Sequence, residues 1–268
     1  MMKKTLCFIA LLTAPLFALS AQQLKVVDWN IRSFEKGSNP QVLQEDIEEY
    51  VNFLKDTEAD IICLNEFETG TSRMGKEKMA ELASRIGNMF GYFIKSYPKD
   101  NKGFYGNVIL SKYPIIASGS TLIKYEHFKG GGNYDHNSDE YCTTWGADQR
   151  SVGYADILLP ENKVVRVCCT HLDHMIGADG KLRQVQEVAD FISVKDPAYP
   201  MLLMGDFNDS KTSSTLVPVA TYGDLFVDNW VDIMYGFPKG AWEKIESTVK
   251  GSGELSDHNA IVAVLKLN

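Results

Sequence analysis

Long apolar runs are scarce in this 268-residue chain. The longest lies at the very start, from about Leu6 to Leu19, behind Lys3 and Lys4 and ahead of the small residues Ser20 and Ala21. It is short for a membrane span, and its order of charge, apolar stretch and small residues is that of a secretory signal peptide. The reading is therefore a signal peptide over 1–21, one domain over 22–268, and a secreted or periplasmic location. Cysteine is scarce too, at five. Cys7 lies inside the leader, too early to serve for lipid attachment. The other four, Cys63, Cys142, Cys168 and Cys169, have no zinc-site spacing. At most one disulfide is expected, and whether Cys168 or Cys169 pairs with Cys142 stays open. Positive charge is in deficit: 27 Lys and Arg stand against 35 Asp and Glu, a net charge of -8. Losing Lys3 and Lys4 with the leader, which carries no acid, makes it -10. That argues against tight, charge-driven nucleic-acid binding but leaves room for an enzyme that touches a few phosphates through a metal. Internal repeats and low-complexity linkers are absent.

What is present alternates. Apolar runs enriched in Val and Ile and bounded by Gly, Asn, Asp or Pro predict strands over 24–30, 59–65, 107–111, 151–159, 163–171, 201–205, 230–235 and 260–267. Between them, three stripes at helical spacing predict amphipathic helices packed on a sheet. They are Leu43, Ile47, Tyr50, Val51 and Leu54; Met79, Leu82, Ile86, Met89 and Phe90; and Leu182, Val185, Val188, Ala189 and Ile192. Residues 125–149, rich in Gly, Asn, Asp and aromatics, form a long loop expected to bear on substrate choice.

The polar residues gather at one kind of place. Predicted strands run at their C-terminal ends into Asn30, into Asn65 and Glu66, into His171, Asp173 and His174, and into Asp206 and Asn208. In an α/β sheet those ends form the ligand crevice. Asp206 and Asn208 are two apart, so continued strand geometry would aim both the same way. "SDH" at Ser256–His258 adds an acid and a histidine ahead of the last strand. Hard oxygen ligands with few histidines suit Mg²⁺, or Mn²⁺ or Ca²⁺, better than zinc, and such a cation beside His and Asn donors suits a phosphate. Glu66, Asp206, Asn208, Asp257, His171 and His258 can together position a water, neutralise phosphoryl charge and help an oxygen leave. Asp28 and Asp60 read as structural. Asn107 reads equally as a phosphate contact or a turn closure after Gly106.

Taken in order, "WN" at Trp29, "ADIICLNE" ending at Glu66, "YGNVILS" from Tyr105, "THLDH" from Thr170, "GDFN" from Gly205 and "SDHNA" from Ser256 resemble the endonuclease/exonuclease/phosphatase superfamily with its deoxyribonuclease I-like fold. The resemblance spans nearly the whole chain after the leader. It implies an α/β four-layer sandwich: two packed mixed β-sheets flanked by helices, with one metal-dependent site. Glu66 would be the principal metal ligand, with Asn30 and Asp257 close to the metal or its waters. Asp206 would orient or activate the attacking water, and Asn208 would hold a phosphate oxygen. His258, oriented by Asp232, would be a base or a charged donor, and His171 would stabilise the phosphate or assist the leaving group. Arg150, Asn107 and Tyr105 are the candidate substrate contacts. Two departures stand out: Asn65 where the superfamily usually has Gln, which leaves its side chain without an obvious role, and Asn259 where the repair enzymes often have Pro. The implied activity is a Mg²⁺-type phosphoesterase, with diester cleavage ahead of monoester cleavage on inositol- or sugar-phosphate-like substrates. Nucleic acid, a phospholipid headgroup and an inositol phosphate all remain open as substrates. A binding protein of the same fold without the chemistry is the contrasting class, as is a structural calcium site. A monomer with no obligate protein partner is expected.

Overall fold

The computed structural model describes residues 22–37, 47–72, 74, 78–99, 103–123, 149–174 and 176–268. Leu43, Cys142, the leader and nearly all of the 125–149 loop lie outside them. In chain order the strands are β1 (Gln23–Asn30), β2 (Ile61–Thr69), β3 (Phe90–Lys99), β4 (Gly103–Ser111), β5 (Ile115–Leu122), β6 (Ser151–Leu158), β7 (Val164–His171), β8 (Met201–Asp206), β9 (Asp224–Asn229), β10 (Asp232–Phe237), β11 (Trp242–Lys250) and β12 (Ala260–Leu267). The helices are α1 (Glu48–Lys55), α2 (Lys78–Arg85), α3 (Ala178–Phe191) and the short α4 (Val217–Ala220). Two six-stranded mixed sheets result, in the orders β11-β12-β1-β2-β4-β3 and β5-β6-β7-β8-β10-β9.

Side-chain alternation sorts the core into three layers. Val26, Cys63, Ile109, Cys169, Met204, Met234 and Ile261 meet between the sheets. Val27, Trp29, Ile62 and Leu64 turn the other way, onto Ile47, Tyr50, Val51 and Leu54 of the α1 segment and Leu82 of α2. Cys168, Leu203 and Ile233 pack on Val185, Val188, Ala189 and Ile192 of the α3 segment. Helix, sheet, sheet, helix is the four-layer sandwich. Cys168 and Cys169, adjacent in β7, face opposite layers as strand geometry requires, and both are free thiols, as is Cys63.

Some local expectations need correcting. The second stripe does not stay helical to Phe90: α2 ends at Arg85, left-handed Gly87 (φ 138°) and Asn88 (φ 56°) follow, and half-exposed Phe90 opens β3. On α3, Leu182 is exposed at 41%, while Lys181 and Gln184 are buried. The strand expected over 230–235 starts at Asp232, and Trp230 and Val231 are the turn before it.

Each sheet holds one parallel pair, β1 beside β2 and β7 beside β8. Their ends place Asn30 opposite Asn65 in one sheet and His171 opposite Asp206 in the other. The inter-sheet layer is apolar along most of its length. It becomes polar at these ends, where Asn30, Asn65, Asn107, His171, Asp206 and Asp232 continue the inward-facing alternation of their strands.

Candidate active site

Two backbone irregularities aim the site. Plain alternation would send Glu66 to the helix side behind Ile62 and Leu64. A bulge in β2 between Leu64 and Phe67, with Glu66 itself left-handed (φ 56°), turns it inward and gives the helix-side place to Phe67. In β8, Gly205 (φ 149°) lies so close to β7 that a Cβ there would sit 1.9 Å from the Thr170 carbonyl oxygen, so only glycine fits before Asp206.

Asp206 is the hub. Its Oδ2 accepts from Asn30 Nδ2 at 3.0 Å and lies 3.5 Å from His171 Nε2 and 3.8 Å from His258 Nε2. Oδ1 accepts from the Asn208 backbone N–H at 2.8 Å. Asn208 does not continue the strand, which ends at Asp206; it is left-handed (φ 47°) and reaches the site from a turn. Its Nδ2 lies 3.0 Å from His171 Nε2 and donates to the Leu172 carbonyl at 2.9 Å, while Lys181 donates to its carbonyl. Asn30 Nδ2 also donates to Glu66 Oε1 at 3.1 Å, and its oxygen accepts from the Arg32 N–H at 3.0 Å.

The two histidines differ in charge. His258 Nδ1 donates to Asp232 Oδ2 at 2.9 Å. Burial alone would lower its pKa, but Asp232 first, then Asp206 and Asp257, outweigh that and raise it to about 9. Its loop is moored to β1: Trp29 Nε1 donates to the His258 carbonyl at 3.0 Å, and Ser256 Oγ to the Asn30 carbonyl at 2.7 Å. His171 is held well below the ordinary range by burial, then by the charge of Arg150 and His258. Arg150 can only donate, so its N–H, 3.1 Å away, makes Nδ1 the acceptor and leaves Nε2, beside the Asn208 amide and 3.5 Å from Asp206 Oδ2, to carry the proton of the neutral ring. Burial raises the carboxyls of Glu66, Asp206 and Asp232, and the acids reinforce one another: Asp232 acts on Asp206, and Asp206 and Asp257 act on Glu66.

Glu66, Arg150, His171, Asp206, Asn208 and His258 line one cavity of about 370 Å³. Tyr105 lines it as well, stacked on Tyr97 with ring centroids 4.8 Å apart. Asp257 stands outside this lining, its side chain 60% exposed and 3.8 Å from Arg32. Asn107 is not the turn closure that one of its two sequence readings made it. It lies within β4, buried, where it cannot close a turn, and it is not among the cavity-lining residues; its Oδ1 accepts from Asn65 at 2.9 Å. Asp60 is structural, accepting from the Lys25 N–H and from Lys112. Asp28 is fully buried, and burial, then Asp232, push it well above the carboxylate range.

His174, of the "THLDH" motif, lines the cavity too. Several contributors escape a reading by motif: Ser33, Glu35, Tyr97 and Lys99 also line it. Ser33 belongs to a run of three left-handed residues, Arg32, Ser33 and Phe34, directly behind Asn30. Asn65 has a definite place as well: its Nδ2 donates to Asn107 and to the Thr170 carbonyl (2.9 Å each), and its oxygen accepts from the Asp206 N–H at 3.0 Å. It joins the two sheets directly beneath the hub.

Known families bear on this geometry. The model of the Endonuclease/Exonuclease/phosphatase family matches residues 29–258, spanning every motif from Trp29 to His258. The chain belongs to this family. The uncharacterized protein YbhP of Escherichia coli K12 is 29% identical over 167 residues, covering 56% of this chain and 54% of that one, so the match spans about half the length of each. Among solved structures, a family member from Beutenbergia cavernae superposes with a TM-score of 0.68 at 20% identity, covering 92% of this chain and 72% of that one. The mannosyl-6-phosphatase Bt3783 of Bacteroides thetaiotaomicron gives 0.63 at 13% identity, covering 90% and 99%. At such identities these two establish the shared family fold.

Proposed function

We propose that the protein is a divalent-metal-dependent phosphoester hydrolase, acting on phosphodiesters by in-line attack of water. The observation that carries this is Asp206 held between a neutral and a cationic histidine, with Glu66 and Arg150 lining the same cavity. Asp206, raised by burial, is a stronger base than a free carboxylate and takes the proton of the attacking water. As the water oxygen bonds to phosphorus, the bond to the leaving oxygen breaks. Charged His258 donates to a phosphoryl oxygen or to that leaving oxygen. Asn208 and Arg150 hold the remaining phosphoryl oxygens. Of the two roles open to His171, phosphate contact suits a neutral buried ring better than donation of a proton.

The donor set fits a hard cation. Glu66 faces the cavity without an ion pair among the described residues; burial above all, with Asp206 and Asp257, disfavours its charge more than Asn30 and Arg150 favour it, and a dication would redress this. Asp206, Asp232 and His258 also bring ligand atoms within 4.8 Å of one another, but His258 is already cationic and bound to Asp232. We therefore assign the cation to Glu66, with Asp257 near it and Asn30 orienting Glu66. Mg²⁺ is the first expectation, and the bound ion would supply charge neutralisation on a phosphoryl oxygen. A second reading, hydrolysis of a phosphomonoester on a sugar-like group, is favoured by the small cavity, near the lower end of ligand-site volumes. The leader sequence supports action outside the cytoplasm.

Hydrolysis of phosphodiesters and phosphomonoesters with Mg²⁺, Mn²⁺, Ca²⁺ or EDTA tests the proposal. Metal-dependent turnover is expected to fall by about 10²–10⁴-fold in Asp206→Ala and in His258→Ala. Turnover indifferent to EDTA, or undiminished in both variants, would refute it.

A further inference from the structure

β9 and β10 pair Asn229 with Asp232, leaving Trp230 and Val231 as a two-residue hairpin turn. Trp230 has φ 61°. Hairpin turns of this length fill left-handed places with Gly, Asn or Asp, because a bulky side chain is strained there. Burial does not offset that strain, since Trp230 is 72% exposed, the most exposed large apolar side chain among the described residues. Neither turn chemistry nor core packing accounts for a tryptophan here, and strain of this kind collects at functional sites. Its position supplies the missing reason. The indole lies 5.5 Å from the His258 ring, tilted by 34°, on a histidine whose Nε2 is 3.8 Å from Asp206 Oδ2.

We propose that Trp230 is a substrate-binding platform, its exposed indole packing against the flat face of a ring carried by the phosphoester whose phosphate sits at His258. This rests on the phosphoesterase reading and adds a substrate requirement to it: a cyclic organic group beside the phosphate. Both a nucleobase and the C–H face of a sugar present such a surface. The cavity-lining tyrosines suit this less well, because Tyr97 and Tyr105 stack on each other and are each only 6% exposed.

The test compares wild type, Trp230→Gly and Trp230→Phe on nucleotide, hexose-phosphate and ringless glycerol-phosphate esters, each as monoester and methyl diester. Glycine suits the turn, so folding is preserved. For ring-bearing esters Trp230→Gly is expected to raise KM about 10-fold with kcat little changed and the pH profile in place. The glycerol esters should change far less, and Trp230→Phe should recover much of the loss. An effect confined to nucleotides identifies a base, and one shared with the hexose esters identifies a sugar face. Unchanged KM on every ring-bearing ester overturns the platform. So does an equal fall in kcat on all esters with a displaced alkaline limb, which would make the indole a cover for the His258–Asp232 pair. Should the wild type hydrolyse none of them, the phosphoesterase reading fails separately, and calorimetry with the same esters in EDTA still decides: weaker ring-ester binding by Trp230→Gly upholds the platform, and equal binding overturns it.

Discussion

His171 and His258 both approach one carboxylate oxygen, 3.5 and 3.8 Å from Asp206 Oδ2, and differ in charge state. His171 has the Arg150 cation donating at Nδ1, with the Asn208 amide and Asp206 beside Nε2. His258 faces acceptors, Asp232 at Nδ1 and Asp206 at Nε2. Burial lowers both rings: on His171 the Arg150 charge adds to it, and on His258 the acids outweigh it. One cavity thereby holds a ring that stays neutral and a ring that stays charged, which in the proposed reaction would let a carboxylate act as base while a cation remains at the phosphate.

Removing the Asp232 charge should abolish this contrast, and it carries the largest expected effect. In Asp232→Asn the His258 ring loses the main force holding it near 9, so the alkaline limb of the rate profile should move down toward the ordinary value of 6.5. Turnover should fall by about 10³-fold or more, as when an orienting carboxylate is lost from a histidine. Stability follows the same sign. His258 has a folded pKa above its unfolded value, so its contribution is full below about pH 6.5 and is lost as pH rises through about 9. The His258 share of the Tm gap between wild type and variant should therefore narrow from pH 6 to pH 10. A limb that stays at 9 in Asp232→Asn would show that another group sets it.

The other side of the contrast is broken through Arg150. Arg150→Met removes the charge that, after burial, does most to hold His171 low, so the ring should become easier to protonate while burial still restrains it. The proposed phosphate contact would be lost as well, and kcat/KM should fall about 10²-fold. NMR titration of the imidazole and calorimetry with inorganic phosphate separate the two effects. Unchanged phosphate affinity would remove Arg150 from the substrate contacts.

What the sequence showed of this arrangement divides sharply. The eight strands predicted from apolar runs correspond to the eight interior strands, and the four left unpredicted, β3, β5, β9 and β11, are the four sheet edges. An interior strand is covered on both faces and reads as a continuous apolar run. An edge such as "WEKIESTVK" or "IIASGSTL" is exposed and mixed in character, so it carries no such signal. Tyr97 and Lys99 were lost with β3, and Trp230 was read as the start of a strand that in fact begins at Asp232. Asp206 and His171 were legible because they terminate apolar runs. Glu66 was legible by resemblance, though the bulge that turns it inward was not.

Asn65 joins both sides of the contrast, and its prediction is the smallest in catalytic terms. One amide donates to the Thr170 carbonyl, next to His171, and accepts from the Asp206 N–H, so it sets the spacing of the two from the opposite sheet. Nothing in its sequence position signals this, because a strand-end amide looks the same whether it bonds substrate, solvent or backbone. Asn65→Ala leaves a buried carbonyl, a buried N–H and the Asn107 oxygen without their partner, a loss of about 1–3 kcal/mol. The altered spacing should cost kcat a few-fold while KM holds, since no substrate contact is removed. Asn65→Asp keeps the acceptor for the Asp206 N–H but loses both donors and adds an acid beside a hub already raised by burial and by Asp232. It should therefore displace the acidic limb of the rate profile upward, which Asn65→Ala should not. Equal profiles in the two variants would reduce Asn65 to a structural tie between the sheets, with no hold on the chemistry above it.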